Sequence, residues 1–361
     1  VVDRSAAMPW YRGESLLARF PYLDLVAGTG EHLAQIPALL SRAQGPAAAT
    51  AEPTGVVEVP EVFRDNRFRA WVGIMEGCDH FCAFCVVPYT RGRERSRRPE
   101  DILREVADLR ARGYREITLL GQTVNSYGKK LQPPVSFAAL LRAVDGLAQG
   151  QMRVRFTTSH PDDVTPELAR ALAELPSACE HVHLPVQSGS SRVLSRMARG
   201  YTREGYLEKV AMLRAAEPDL ALTTDWIVGF PGETEADFAE TLSLLREVEF
   251  DASFAFKYSP RAGTPAAAMP DQIPEAEKAA RLQQLLALQG EIGLQRNRKL
   301  IGKRAEVLVD RGLSKRDSGL AAGRTRQNRI VHFRGEAEEG SLVIVEITEA
   351  NSHHLKGILS S

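Results

Sequence analysis

An α/β fold with a parallel sheet, followed by a small all-β module, is what this sequence predicts, and three observations predict it. Between residues 68 and 258, six apolar strand-like segments alternate with amphipathic helical ones. Polar and glycine punctuation falls after those strands, where working residues of such sheets collect. After Gly302 the helical period gives way to strand-like runs separated by turns. Six units are too few for a closed eight-unit barrel and enough for a partial one.

The expected elements are as follows. Phe68 to Met75 is an apolar strand that runs into a cysteine-rich loop, and the helix Pro99 to Arg112 follows it. In that helix Ile102, Leu103, Val106 and Leu109 share one face. Strands follow at Glu116 to Leu120, Arg153 to Thr158, His181 to Val186, Leu220 to Val228 and Ala252 to Tyr258. Helices lie between and after them, at Ser136 to Leu147, Thr165 to Leu175, Thr202 to Ala216 and Thr234 to Glu247. Thr165 reads as an N-cap with Pro166 at the first helical position. A long Gln-rich helix spans Pro274 to Arg298. Strands at Lys303 to Val309, Asn328 to Phe333 and Leu342 to Glu349 then build a minimal β-domain.

The opening does not read as the start of a domain. Phe20 to Gly30 looks like a strand and turn, and Glu31 to Leu40 like a short helix. One such unit cannot bury its own apolar face. Residues 1–45 are therefore expected to be the remnant of a preceding domain, with an Ala/Gly/Pro/Thr-rich linker over 41–60. Residues 60–298 are the expected core domain and 300–361 the β-domain.

Of 361 residues, 43% are apolar and 25% charged, as in ordinary globular proteins. Lys plus Arg and Asp plus Glu stand at 46 each, so only local charge can point to a partner. No apolar run approaches a membrane span and no secretory signal is evident. A cytoplasmic location is expected.

Three of the four cysteines form Cys78-x-x-x-Cys82-x-x-Cys85. Three thiolates can hold three irons of a 4Fe-4S cluster and leave the fourth iron open to a small molecule, whereas a structural cluster takes four cysteines. Zinc is the competing reading and would draw on His80, the only local candidate for a fourth ligand. A disulfide would leave one cysteine over. Cys179 precedes an apolar strand and is expected to be a small buried residue.

Residues 311–334 carry seven basic residues, among them Arg324, Arg326 and Arg329, against Asp317 alone. Such a patch on a small β-barrel suits RNA, with a solvated loop as the plain alternative. Arg91, Arg93, Arg95, Arg97 and Arg98 follow the cysteine loop and could hold phosphates or pair with neighbouring helices.

Several segments together resemble the radical S-adenosylmethionine (SAM) methylthiotransferases. They are Gly77 through Gly92, Leu120 to Gly128, Phe156 to Pro161, Leu184 to Ser190 and Asp225 to Thr234. The Arg324 to Phe333 segment is similar to the TRAM module that ends those enzymes. The likeness is nearest to the tRNA branch, the 2-methylthio-N6-dimethylallyladenosine synthases; a sister branch modifies an aspartate of a ribosomal protein. Pro88 to Gly92, Gln122 to Asn125 and Thr157 to Pro161 look like the tRNA branch.

The resemblance implies a partial radical SAM barrel and transfer of a methylthio group to C2 of N6-isopentenyladenosine beside the anticodon. It implies a 4Fe-4S cluster on Cys78, Cys82 and Cys85 whose open iron binds SAM. It also implies a tRNA anticodon stem-loop as partner and a reductant such as flavodoxin or ferredoxin. Phe84 would cover the SAM adenine or be a core aromatic. Gln122, Ser159, Gln187 and Ser188 would face SAM, or cap loops, and Gly229 would allow close backbone approach. Only Ile227 and Gly229 match the superfamily's GxIxGxxE pattern. Arg91 and Arg95, with the 324–329 arginines, would face RNA. The family's second 4Fe-4S cluster sits in an N-terminal domain whose three cysteines have no counterpart before Cys78. That cluster is expected only in a full-length protein.

Overall fold

The computed structural model describes residues 13–27, 38, 41, 47–49, 64, 66–313 and 320–360. Most of the expected helix at 31–40, most of the 41–60 linker, and Lys315, Arg316 and Asp317 lie outside the described residues. Within that linker, Ala47–Ala49 is a short strand paired in parallel with Leu25–Ala27.

All six core strands are present and every pairing among them is parallel. β1 (Arg69–Gly73), β2 (Glu116–Leu120) and β3 (Arg153–Phe156) form one half of the sheet. β4 (His181–His183), β5 (Ala221–Val228) and β6 (Ala252–Lys257) form the other. A parallel bridge from Val154 to Ala178 and the bond Ser159 N–H to His183 C=O (3.3 Å) join the halves. β1 and β6 are the edges of a barrel left open.

The helices begin where the capping residues stand. Pro99 starts α1 (Pro99–Ala111), with Glu100 and Asp101 in its first turn complementing the helix dipole. Ser136 caps α2 (Phe137–Ala148), Thr165 caps α3 (Pro166–Glu174) and Thr202 caps α4 (Arg203–Ala216), each accepting a backbone N–H. Thr234 and Asp237 make a reciprocal capping box at α5 (Glu235–Val248). α6 (Glu275–Arg298) is the long helix leading to the β-domain.

Strand alternation divides the side chains. Val72, Ile117, Leu119, Val154, Phe156, Leu222 and Trp226 lie in the large core shared with the helices. The alternate positions carry Glu116, Thr118, Arg153, Arg155, His181, His183, Thr223 and Asp225, a polar set rather than an apolar filling. On the edge strands the same alternation leaves Trp71, Phe254 and Phe256 exposed.

The β-domain is a closed five-stranded barrel, ordered β7-β8-β9-β11-β10. Its strands are β7 (Arg304–Val309), β8 (Ala321–Thr325), β9 (Ile330–Arg334), β10 (Leu342–Ala350) and β11 (His354–Leu359). The sequence reading misses two of them. β8 is Ala-Ala-Gly-Arg-Thr and β11 contains Lys356 and Gly357, so neither shows an apolar alternation strong enough to stand out. Both are held by cross-barrel pairing instead.

This barrel docks on the amino-terminal ends of the core strands. Arg153 and Arg155, on β3, donate to the backbone carbonyls of Arg324, Thr325 and Arg326. Arg326 makes a forked pair with Glu180 just before β4, at 2.7–3.0 Å. Arg329 pairs with Asp251 just before β6. Arg324 donates to Asn328 C=O (3.2 Å) and is itself half-buried. The structure differs from the expectation of a free patch: Arg324 bonds within its own hairpin, and Arg326 and Arg329 are half-buried and paired with acids of the core. Their acids lie 146 and 78 residues away in sequence, beyond any local charge count. Among the described residues, no helix is long and apolar enough to cross a membrane.

Candidate functional site

The site lies at the carboxyl end of the open barrel. Gly77 sets up the cysteine loop with φ of +74°, and a Cβ there would fall 2.2 Å from the Arg93 carbonyl oxygen. Cys78 N–H then bonds to Gly92 C=O (3.3 Å), and Cys85 N–H to Cys82 C=O (3.0 Å). Ala83 is tied on both sides, by its N–H to Met197 C=O (2.8 Å) and by its C=O to Ala266 N–H (2.9 Å).

Cys78, Cys82 and Cys85 converge on one cavity of about 310 Å³. All three are free thiols. Burial pushes the Cys85 thiol up to about 11, and it raises Cys78 as well, against a bond to Thr123 Oγ1 at 3.4 Å. Cys179 is buried away from this cavity beside Arg155. His80, the zinc alternative, is held by Asp163 at 3.0 Å and stacks on His160 with ring centroids 3.7 Å apart. Burial, followed by the Arg199 charge, holds the His160 imidazole well below its usual range and keeps it neutral.

Phe84, Gln122, Ser159 and Gln187 line the same cavity. Gln122 Oε1 and Ser159 Oγ are buried without a protein partner, and a bound ligand or water would satisfy them. Phe84 also meets Phe230 edge-on at 6.4 Å, so it is at once a cavity wall and part of a small core. Gln187 holds a left-handed backbone (φ +73°) and pairs with β5 through Asp225 C=O and Ile227 N–H.

Two expected cofactor residues do not line the cavity. Ser188 is fully buried, accepting the Ser190 N–H at 3.2 Å and lying 3.5 Å from Thr241 Oγ1. Its side chain turns toward α5. Gly229 bonds through its N–H to Glu233 (2.9 Å), and Lys278 fills the space where a Cβ would stand. Both make their contacts within the loops they belong to. Arg95 bonds to Glu76 at 3.3 Å, whereas Arg91 is exposed.

The sequence reading did not single out Arg199 or Asp225 as site residues, and both line the cavity. Asp225 lies within β5, 3.3 Å from His183 Nε2. Arg199 follows the short helix Ser191–Arg196, which the sequence reading did not place, and nothing in its local sequence marks it. The donor set fits an iron–sulfur cluster with an open iron: three soft thiolates converge on one cavity, with the unpartnered Gln122, Ser159 and His160 Nε2 atoms beside them.

The model of the Radical SAM superfamily matches residues 72–245, and that of the TRAM domain matches residues 298–359. A tRNA-2-methylthio-N(6)-dimethylallyladenosine synthase of Thermoanaerobacter sp. (strain X514) is 49% identical over 351 residues, covering 96% of this chain and 74% of that protein. The enzyme of the same name from Carboxydothermus hydrogenoformans is 50% identical over 95% of this chain and 79% of its own length. Among solved structures, coproporphyrinogen III oxidase of Escherichia coli aligns with a TM-score of 0.47 at 18% identity, covering 63% of this chain and 53% of that one. With half its residues shared along nearly its whole length, the chain belongs to the family of the tRNA-2-methylthio-N(6)-dimethylallyladenosine synthases.

Proposed function

We infer that this protein is a radical SAM methylthiotransferase that adds a methylthio group to C2 of N6-isopentenyladenosine in tRNA, next to the anticodon. The observation that carries the reading is the convergence of Cys78, Cys82 and Cys85 with the unpartnered Gln122 and Ser159 atoms on one cavity. Family membership supplies the substrate class. The sister reaction on a ribosomal protein is not favoured, since the relatives named above are all tRNA enzymes.

When bound, a 4Fe-4S cluster and SAM supply the one-electron chemistry that an unacidic aromatic C–H bond demands. The protein's own part is placement. Cys78, Cys82 and Cys85 would hold three irons. Gln122 and Ser159 offer hydrogen bonds to SAM from the ends of β2 and β3, and Gln187 does so from the end of β4. Asp225 presents a carboxylate that could take ribose hydroxyls. Phe84 walls the cavity with an apolar face and keeps water from it. The chain's four cysteines, one of them remote, support one such cluster here. A small flavodoxin- or ferredoxin-type carrier is the proposed electron source, and Arg91 stands exposed at the rim of the cysteine loop to meet RNA phosphate.

The test has two arms. Deleting the gene in its own organism should leave tRNA with N6-isopentenyladenosine and no 2-methylthio derivative, read by mass spectrometry of digested nucleosides. Reconstituted under anaerobic conditions, the chain should take up about four irons and four sulfides. Cys82→Ala should lose the visible absorbance, while Cys179→Ala should keep it. Unchanged nucleosides after deletion, or stoichiometric zinc in a colourless protein, would refute the assignment.

A further inference from the structure

Arg199 is a cation with an unusual position. It is buried, with 6% of its surface exposed, and each part of its guanidinium is committed. Nε donates to the Tyr201 hydroxyl at 2.8 Å, one terminal nitrogen to Pro185 C=O at 3.0 Å, and the other to Cys82 Sγ at 3.3 Å. Among the described residues, no carboxylate bonds to it. A buried charge without a counter-charge is strongly destabilising, and proteins do not keep one without a compensating anion. The group placed to supply it is Cys82 Sγ, which would be a thiolate when it holds an iron.

The backbone fixes this arrangement from both sides. Arg199 N–H bonds to Leu194 C=O (3.0 Å), and Ala198 before it takes a left-handed turn (φ +56°). Met197, two residues earlier, accepts the N–H of Ala83, which lies between Cys82 and Cys85. The turn that carries the arginine is thus pinned to the loop that carries the thiols. A guanidinium stays protonated in proteins whatever its burial. The residue is therefore a permanent charge.

We propose that Arg199 is a positioning residue for the cluster: its N–H···S bond and fixed charge at Cys82 stabilise the reduced, more negative state and raise the reduction potential. Hydrogen bonds to cluster sulfurs, net charge and solvent exposure are the levers that set such potentials. No other charged side chain bonds to a cysteine sulfur among the described residues. The inference rests on the cluster assigned to the three cysteines under the proposed function. The plain alternative is that Arg199 only braces the loop through Pro185 and Tyr201.

The experiment separates these. Arg199→Met, Arg199→Gln and Arg199→Lys are reconstituted anaerobically, and iron per chain and absorbance are measured before anything else. Midpoint potentials are then read by redox titration followed by electron paramagnetic resonance. The Met and Gln variants should shift to a more negative potential at full iron content, and Lys, which keeps the charge, should recover part of the shift. A merely bracing residue would alter thermal stability and leave the potential alone. If Met does not load a cluster, the comparison of Gln with Lys decides, and equal potentials overturn the proposal. Full iron with an unchanged potential in all variants overturns it while leaving the cluster assignment standing. An unaltered chain that loads no cluster overturns both.

Discussion

Ser159 and Ser188 stand at equivalent places in sequence, each in a polar loop just past a strand. Ser159 Oγ is buried, unpartnered and on the cavity wall. Ser188 Oγ is engaged with Ser190 and Thr241 beneath the loop. Their variants should therefore fail in opposite ways. Ser159→Ala should weaken SAM binding by about 2- to 10-fold, the worth of one hydrogen bond, and leave unfolding nearly unchanged. Ser188→Ala should lose about 1–2 kcal/mol of stability in urea unfolding while binding SAM normally. Calorimetric titration and denaturation of the two proteins check this, and matching behaviour would remove the distinction. The strand-end rule could find both loops from sequence because loop position follows from alternating elements. It could not choose between the serines, because which way a loop side chain turns depends on the packing of α5, far off in sequence. Cysteine spacing escapes that limit, since three ligands within eight residues bring their own geometry.

Gly229 shows the same limit within an element. A glycine-rich turn after a strand suggests backbone held close to a ligand, and this one instead makes room for α6. Its φ is +68°, and a Cβ would stand 2.3 Å from Lys278 Cγ. Lys278 is buried and donates through Nζ to Tyr258 C=O (3.1 Å), so it has little freedom to withdraw. Gly229→Ala should cost about 1–2 kcal/mol from backbone strain alone, more with the displaced lysine, and lower the melting temperature by several degrees. The SAM dissociation constant of the variant, measured below that temperature, should be unchanged. A tenfold loss of SAM affinity at wild-type stability would return Gly229 to the cofactor site. The helices were legible at this scale because their starts are written locally: Thr165-Pro166 and the Thr234/Asp237 box each carry their own caps. β8 and β11 were not, because a barrel strand can be held by its neighbours without any pattern of its own.

At the scale of the whole molecule, charge that is segregated along the sequence is neutralised in space. Arg153, Arg155, Arg326 and Arg329, with Glu116, Glu180, Asp251 and Glu306, tie the small barrel to the amino-terminal mouth of the core. Arg326 and Arg329 looked free because their acids belong to another domain. Arg155 and Glu116 are both nearly inaccessible and bonded at 2.7 Å, so removing either strands a buried charge, at roughly 3–5 kcal/mol. Arg326 and Glu180 keep about a fifth of their side chains in solvent, which lowers the worth of that pair. A double-mutant cycle of Arg326→Gln and Glu180→Gln should return a coupling of about 0.5–1.5 kcal/mol in urea unfolding, against near zero for two independent sites. The same Arg326→Gln protein discriminates a clasp between domains from a grip on RNA. Were Arg326 bound to a tRNA phosphate, its removal would flatten the plot of log tRNA affinity against log salt by roughly 1. An arginine already forked onto Glu180 releases no counterion on binding, so the slope should stay where it is. Coupling absent and slope reduced would place Arg326 on the RNA after all, and the docking of the barrel would then have to rest on Arg153 and Arg155.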